Sequence, residues 1–244
     1  MSPDRREFLG LGAAAAAGVA LVPLVPGLRL VDLVQARSPE AAASLLNRWG
    51  LLIEVGKCAG CDACVTACHA ENGVTGHARP RTDAQWIRKV NLRDKRTGHG
   101  QTLPLMCQHC EHPPCVDVCP TGASFKRADG IVLVDKHTCI GCRYCVIACP
   151  YGARSFIHED VTGQKPEVPR GKGTVESCTL CVHRIDRGET PACVEACARD
   201  GGKAMLFGDL NDRASEIHKR LRSGPSGQIR ADLALNTGVR YQGL

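Results

Sequence analysis

Sixteen cysteines fall into four groups of four along this 244-residue chain, a pattern few folds can accommodate. The groups are Cys58, Cys61, Cys64 and Cys68; Cys107, Cys110, Cys115 and Cys119; Cys139, Cys142, Cys145 and Cys149; and Cys178, Cys181, Cys193 and Cys197. Each opens with C-x-x-C and closes with a related unit (CVTAC, CVDVC, CVIAC or CVEAC), so the chain carries an internal repeat. Aromatic residues make up only 4% of the chain, leaving few large side chains for a core. Cross-links or metal centres must therefore supplement hydrophobic burial.

Cysteines at i, i+3 and i+6 in a tight loop can wrap three thiolates around one face of a cubane iron–sulfur cluster. The closing C-V-x-x-C unit suits one helical turn. Its second cysteine is carried away from the loop's own cluster and can ligate a neighbour, as in bacterial two-cluster ferredoxins. Zinc is the commonest reading of paired C-x-x-C units, yet three cysteines at successive threes followed by a fourth favour [4Fe–4S] clusters. Groups one and three fit that spacing without adjustment. Group two has EHPP between its second and third cysteines, and group four has VHRIDRGETPA. Disulfides fit worst, because cysteines this close compete for partners and close strained loops. Zinc and disulfides remain alternatives for metal analysis to separate.

Groups two and three are close together, with 19 residues between Cys119 and Cys139, and share the continuations CPTGASF and CPYGARSF. The ferredoxin rule and nesting then predict four [4Fe–4S] clusters, with iron held by Cys58, Cys61, Cys64 and Cys197; by Cys107, Cys110, Cys115 and Cys149; by Cys139, Cys142, Cys145 and Cys119; and by Cys178, Cys181, Cys193 and Cys68. The expected fold is α+β: two bacterial-ferredoxin-like [4Fe–4S] domains, one inserted in the other, with extra loops. Residues 106–156 form the insert, 37–105 and 157–222 the outer domain, and 223–244 a polar tail that docks or dangles. QWIRKVNL, RSFIH and KAMLFG read as strands, and GIVLVD as one paired with the preceding ASFKRADG. NDRASEIHKRLRS reads as an amphipathic helix with Asp212 or Ser215 near its start. Residues 159–174 read as a Gly/Pro-rich surface loop.

Residues 1–36 read as an address rather than as fold. Arg5-Arg6 precede Phe8-Leu9 and a weakly apolar Ala/Gly-rich stretch, with a small-residue cleavage site at VQA, which resembles a twin-arginine export signal. The alternative is a retained membrane anchor, since Phe8 to Leu28 is uncharged and long enough to span a bilayer. Glycines and prolines interrupt that stretch, which favours the signal. Twin-arginine export moves folded proteins, so it suits a chain loaded with cofactor before it crosses. The formal charge of +6 is dispersed, with no Lys/Arg run or interleaved aromatics to suggest nucleic acid. Each four-thiolate site with its iron core adds roughly two negative charges, leaving the loaded protein slightly acidic.

Among other residues, His69, His109, His112, His137 and His183 lie near the cysteines and read as structural or supporting, since sixteen cysteines already supply four sites. Lys57, Lys126, Arg127, Lys136, Arg143 and Arg154 lie near the groups, either offsetting cluster charge or simply solvated. There is no G-x-G-x-x-G after a strand, no P-loop and no nucleophile–base arrangement, so no catalytic residues are assigned.

These residues resemble a known family, the four-cluster ferredoxin-like iron–sulfur subunits of respiratory oxidoreductases. It includes the B subunits of dimethyl sulfoxide, polysulfide and tetrathionate reductases and the NrfC-like subunits of nitrite reduction. The resemblance runs from about Gly56 to Asp212, through CQHCEHPPCVDVCPTGASFKRADGIVLVD, CTLCVHRIDRGETPACVEAC and LFGDLND. CIGCRYCVIACPYGARSF and PTGASFKRADGIVLVD resemble most the DsrO-type subunits of DsrMKJOP membrane complexes. The resemblance implies a non-catalytic electron-transfer subunit of dissimilatory sulfur metabolism, periplasmic and peripheral to the cytoplasmic membrane. Its implied partners are an NrfD/DsrP-like quinone-interacting membrane subunit and a DsrJ-like multihaem cytochrome c or other redox subunit. One departure is Ala198, where many members of the family have proline, which puts the path after Cys197 in question.

Overall fold

A computed structural model describes residues 43–79 and 82–244, and the expected leader lies outside the described residues. In chain order the first half contains β1 (Trp49–Glu54), α1 (Ala63–Asn72), β2 (Ile87–Arg93), β3 (Gly100–Met106), α2 (Pro114–Asp117), β4 (Ser124–Lys126), β5 (Val132–Val134) and α3 (Tyr144–Ala148). The second half contains β6 (Ser155–Phe156), β7 (Val175–Glu176), α4 (Val182–Ile185), α5 (Ala192–Asp200), β8 (Met205–Asp209), α6 (Glu216–Ser223), β9 (Ser226–Gly227) and β10 (Val239–Gln242). Short elements of both kinds, joined by long loops, give the α+β class.

The helices pair as the cysteine repeat requires. Helix α1 packs on α5, and α2 packs on α3. The two pairs differ in length for a reason visible in sequence. Pro120 and Pro150 follow the last cysteines of groups two and three, and α2 and α3 last only four and five residues. His69 and Ala198 stand at the equivalent places of groups one and four, so α1 and α5 run on to ten and nine residues. The Ala198 departure thus leaves Cys197 inside a helix rather than at its end.

Strand β1 (WGLLIE) carries the apolar run WGLLI, buried on both faces, which suits the centre of a sheet. It pairs antiparallel with β8 and parallel with β10, in a sheet ordered β8-β1-β10-β9. The hairpin of β2 and β3 pairs Ile87 with Met106 through to Arg93 with Gly100. Strands β4 and β5, and β6 and β7, form two small antiparallel ribbons. Ser215 caps α6 by accepting from the His218 amide at 3.2 Å, and Arg220 from its last turn reaches Glu54 on β1 at 2.7 Å.

The tail docks. Val239 and Tyr241 are buried in the sheet, Tyr241 Oη donates to the Pro104 carbonyl at 3.2 Å, and the Gly238 amide donates to the Gln108 carbonyl at 2.8 Å. Residues 159–174 form the expected loop, but an ion pair anchors it: Arg170 Nε and Nη2 donate to the fully buried Glu176 carboxylate at 2.8 and 2.7 Å. Among the described residues no helix is long and apolar enough to cross a membrane.

Candidate metal centres

The four cysteine groups share one construction. A loop presents the first two cysteines, and a helix carries the third: Cys64 in α1, Cys115 in α2, Cys145 in α3 and Cys193 in α5. In every C-x-x-C the residue before the second cysteine has positive φ: Gly60 at 70°, His109 at 44°, Gly141 at 69° and Leu180 at 56°. That left-handed residue curls each loop. Glycine adopts it freely, whereas His109 and Leu180 do so at a cost of about 1–2 kcal/mol. At Gly141 a Cβ would also lie 2.2 Å from the Gly173 carbonyl oxygen.

All sixteen cysteines are unpaired thiols, and they gather into quartets drawn from different groups. Cys64 stands with Cys197, Cys58 and Cys61 around one pocket. Cys110 neighbours Cys107, Cys115 and Cys149. Cys145 faces Cys119 and Cys139, and all three line one pocket together with Cys142. Cys178 faces Cys68, Cys193 and Cys181. The pocket of Cys119, Cys139, Cys142 and Cys145 and that of Cys58, Cys61, Cys64 and Cys197 each open onto about 300 Å³ of empty space, partly solvent. Among the described residues, no three His, Cys, Asp or Glu side chains converge tightly enough for a single metal ion. Each quartet offers four thiols, the donor set of a [4Fe–4S] cluster, and in those two pockets they surround open space.

The quartets stand in a row. Cys145 acts on Cys115, Cys107 on Cys178, and Cys64 on both Cys68 and Cys193. The order is thus Cys119/139/142/145, Cys107/110/115/149, Cys68/178/181/193, Cys58/61/64/197. The two exposed cysteines, Cys142 and Cys61, lie in the end quartets.

Burial pushes the Cys64 thiol up to about 11 and those of Cys107 and Cys110 up to about 12, and it raises Cys68, Cys178 and Cys193 strongly. Thiolates here need countercharge, which a cationic iron core would supply. The surroundings are prepared for such charge. Backbone amides donate to Cys119 from Ser124 at 3.3 Å, to Cys149 from Ala153 at 3.5 Å, to Cys139 from Val175 at 3.5 Å, to Cys178 from Leu180 at 3.4 Å and to Cys197 from Ala204 at 3.3 Å. Such donors stabilise sulfur-centred negative charge. The donor set and its surroundings therefore fit [4Fe–4S] clusters.

Asn72 was not evident in sequence. Its buried amide donates to Cys68 Sγ at 3.7 Å and Cys181 Sγ at 3.9 Å, two thiols of one quartet from different groups. The available signal was its place one helical turn after Cys68. The histidines take other roles. His109 Nδ1 accepts from the Val132 amide at 3.1 Å, and burial, helped by Arg154, lowers its pKa to about 3, keeping it neutral. His183 Nε2 bonds to Glu71 at 2.8 Å, and His112 and His137 are exposed.

Residues 99–210 match the 4Fe-4S dicluster domain, and residues 57–123 match a second model of that description. The Hdr-like menaquinol oxidoreductase iron-sulfur subunit 1 of Archaeoglobus fulgidus is 44% identical over 267 residues, covering 98% of this chain and 97% of its own. The B subunit of tetrathionate reductase from Salmonella typhimurium is 39% identical over 218 residues, covering 89% and 78%. Protein NrfC of Escherichia coli is 38% identical over 244 residues, covering 97% and 93%. Four cysteine quartets in a ferredoxin-like α+β fold and these matches across the chain agree: it belongs to the 4Fe-4S dicluster family of iron–sulfur electron-transfer subunits of oxidoreductase complexes, and it is not a catalytic subunit.

Proposed function

We propose that the chain carries four [4Fe–4S] clusters and relays electrons from one end of the quartet row to the other. The observation that carries this reading is the row itself, with its two exposed cysteines at opposite ends and its middle quartets largely buried. We take the ligand sets to be those the ferredoxin rule predicts. When bound, such clusters supply reversible one-electron exchange at potentials set by nearby charge, hydrogen bonds and solvent. The chain fixes the thiolates, donates amide hydrogen bonds to them, and excludes water around the inner sites.

The ends differ in chemistry. Beside Cys142, Ile140, Tyr144 and Ile147 are 67%, 60% and 81% exposed. Beside Cys61 the surface is charged, with Lys89 paired to Asp62 at 2.7 Å. We assign the apolar end to an NrfD/DsrP-like quinone-interacting membrane subunit. The charged end is assigned to a DsrJ-like multihaem cytochrome c or other redox subunit. Similarity to a menaquinol oxidoreductase subunit supports the quinol side, and the twin-arginine-like leader supports a periplasmic site. The remaining part of the proposal is a role in dissimilatory sulfur metabolism.

Protein purified without oxygen should contain about 16 iron atoms and about 16 acid-labile sulfides per chain. Stoichiometric zinc without labile sulfide would overturn the reading. Similarity to the tetrathionate reductase protein and to NrfC supports a second complex, built on a molybdopterin reductase or an NrfC-type system. Isolation from native membranes separates the two: a multihaem cytochrome with a quinone-interacting subunit favours the first, a molybdopterin subunit the second.

A further inference from the structure

Six cations lie near the cysteine groups in sequence, and the fold gives five of them partners of their own. Lys57 pairs with Glu54 and Lys126 with Glu111. Arg127 reaches Asp186 at 2.8 and 2.9 Å and Asp129 besides. Lys136 donates to the Val175 carbonyl, and Arg143 lies 4.1 Å over the Phe156 ring. Arg154 differs. It is only 5% exposed, and Nε, Nη1 and Nη2 have no oxygen or nitrogen acceptor, the guanidinium facing the sulfurs of Cys115 and Cys145 instead.

A buried guanidinium without acceptors is strongly unfavourable, so a compensating negative charge must face it. The groups around it narrow the choice. His109 supplies no negative charge and accepts the Val132 amide at Nδ1, Lys136 is a second cation, and the carboxylate of Glu176 is held by Arg170. What remains are thiols from two quartets: Cys115 and Cys107 of one, and Cys145 of the next. In the other half of the row two cations lie near the thiols and both are already partnered: Arg184, beside Cys181, pairs with Glu71 and Glu195, and Lys89, near Cys61 and Cys64, is exposed and paired with Asp62. The side-chain donor to Cys68 and Cys181 is the neutral Asn72 amide.

The geometry points to Arg154 as a shared countercharge between the centres held by Cys107/110/115/149 and by Cys119/139/142/145, raising the potentials of both. This rests on the four-cluster reading. A fixed cation between two redox centres favours the reduced state of each, and a planar fork with five N–H donors can address sulfurs on both sides. CPYGARSF places Arg154 five residues after Cys149, where the sister segment CPTGASF has Ser124 five after Cys119, so only one half of the repeat supplies the cation.

Redox titration of the full, loaded chain, followed by EPR, tests this with Arg154→Gln and Arg154→Lys. In the glutamine variant two of the four midpoint potentials should fall while the other two stay. The lysine variant should recover most of that fall. Four unchanged potentials, a shift confined to one centre, or a lysine variant shifted as far as the glutamine variant would each overturn the assignment. If the glutamine variant loads less iron, the lysine variant decides: restored iron content supports a role for the charge, and equal loss overturns it. Zinc in the unmutated protein would instead sink the four-cluster reading itself, so the two failures are distinguishable.

Discussion

Cys149 closes the third group in sequence but stands with Cys107, Cys110 and Cys115 in space. Cys149→Ser should therefore cost up to about four iron atoms from that site while sparing the one beside Cys139, Cys142 and Cys145. Iron analysis with EPR of the remaining centres would show this, and loss from the second site would reverse the pairing. Such roles are legible because spacing alone restricts where a thiol in a tight loop can reach. Arg170 and Glu176 were not legible: they lie six residues apart in a segment without periodicity, and only the folded loop aims them at each other. Arg170→Met leaves the buried Glu176 charge unpartnered and should lower stability by about 3–5 kcal/mol in denaturant titration. A loss near zero would mean that Glu176 is solvated.

At the scale of elements, alternating or unbroken apolar runs announced β2, β5 and β8, and prolines announced where α2 and α3 stop. β10 was hidden, because VRYQ carries no strand pattern of its own and joins the sheet only through β1. The curl of the C-x-x-C loops was half visible. Glycine marks it in groups one and three, but nothing in the sequence marks His109 or Leu180 as left-handed. Gly141→Ala meets both obstacles, positive φ and the Gly173 carbonyl. We expect a loss of about 1–3 kcal/mol and weakened iron retention at Cys139, Cys142 and Cys145. Thermal unfolding and iron content would measure it, and wild-type values for both would mean that the loop has room to relax.

For the molecule as a whole, the two ends of the quartet row predict different sensitivities. Ile147→Asp puts a charge into the apolar end without touching a cysteine. Recovery of the membrane partner with the purified chain should drop by about tenfold, with iron content unchanged. Unaltered recovery would remove this face from the interface. The ends and their order were not legible in sequence, since neighbouring quartets meet through Cys107 and Cys178 or Cys115 and Cys145, contacts that arise only when the helix pairs pack. The outer strands carry a consequence for how the molecule is made. With the proposed ligand sets, the inserted pair of centres has every thiol once residue 149 has been synthesised. The outer pair waits for Cys193 and Cys197, and β1 gains its parallel neighbour only when residues 239–242 emerge. Assembly then runs from the middle of the chain outward: a ribosome stalled after residue 160 would release a chain able to hold two centres and no more.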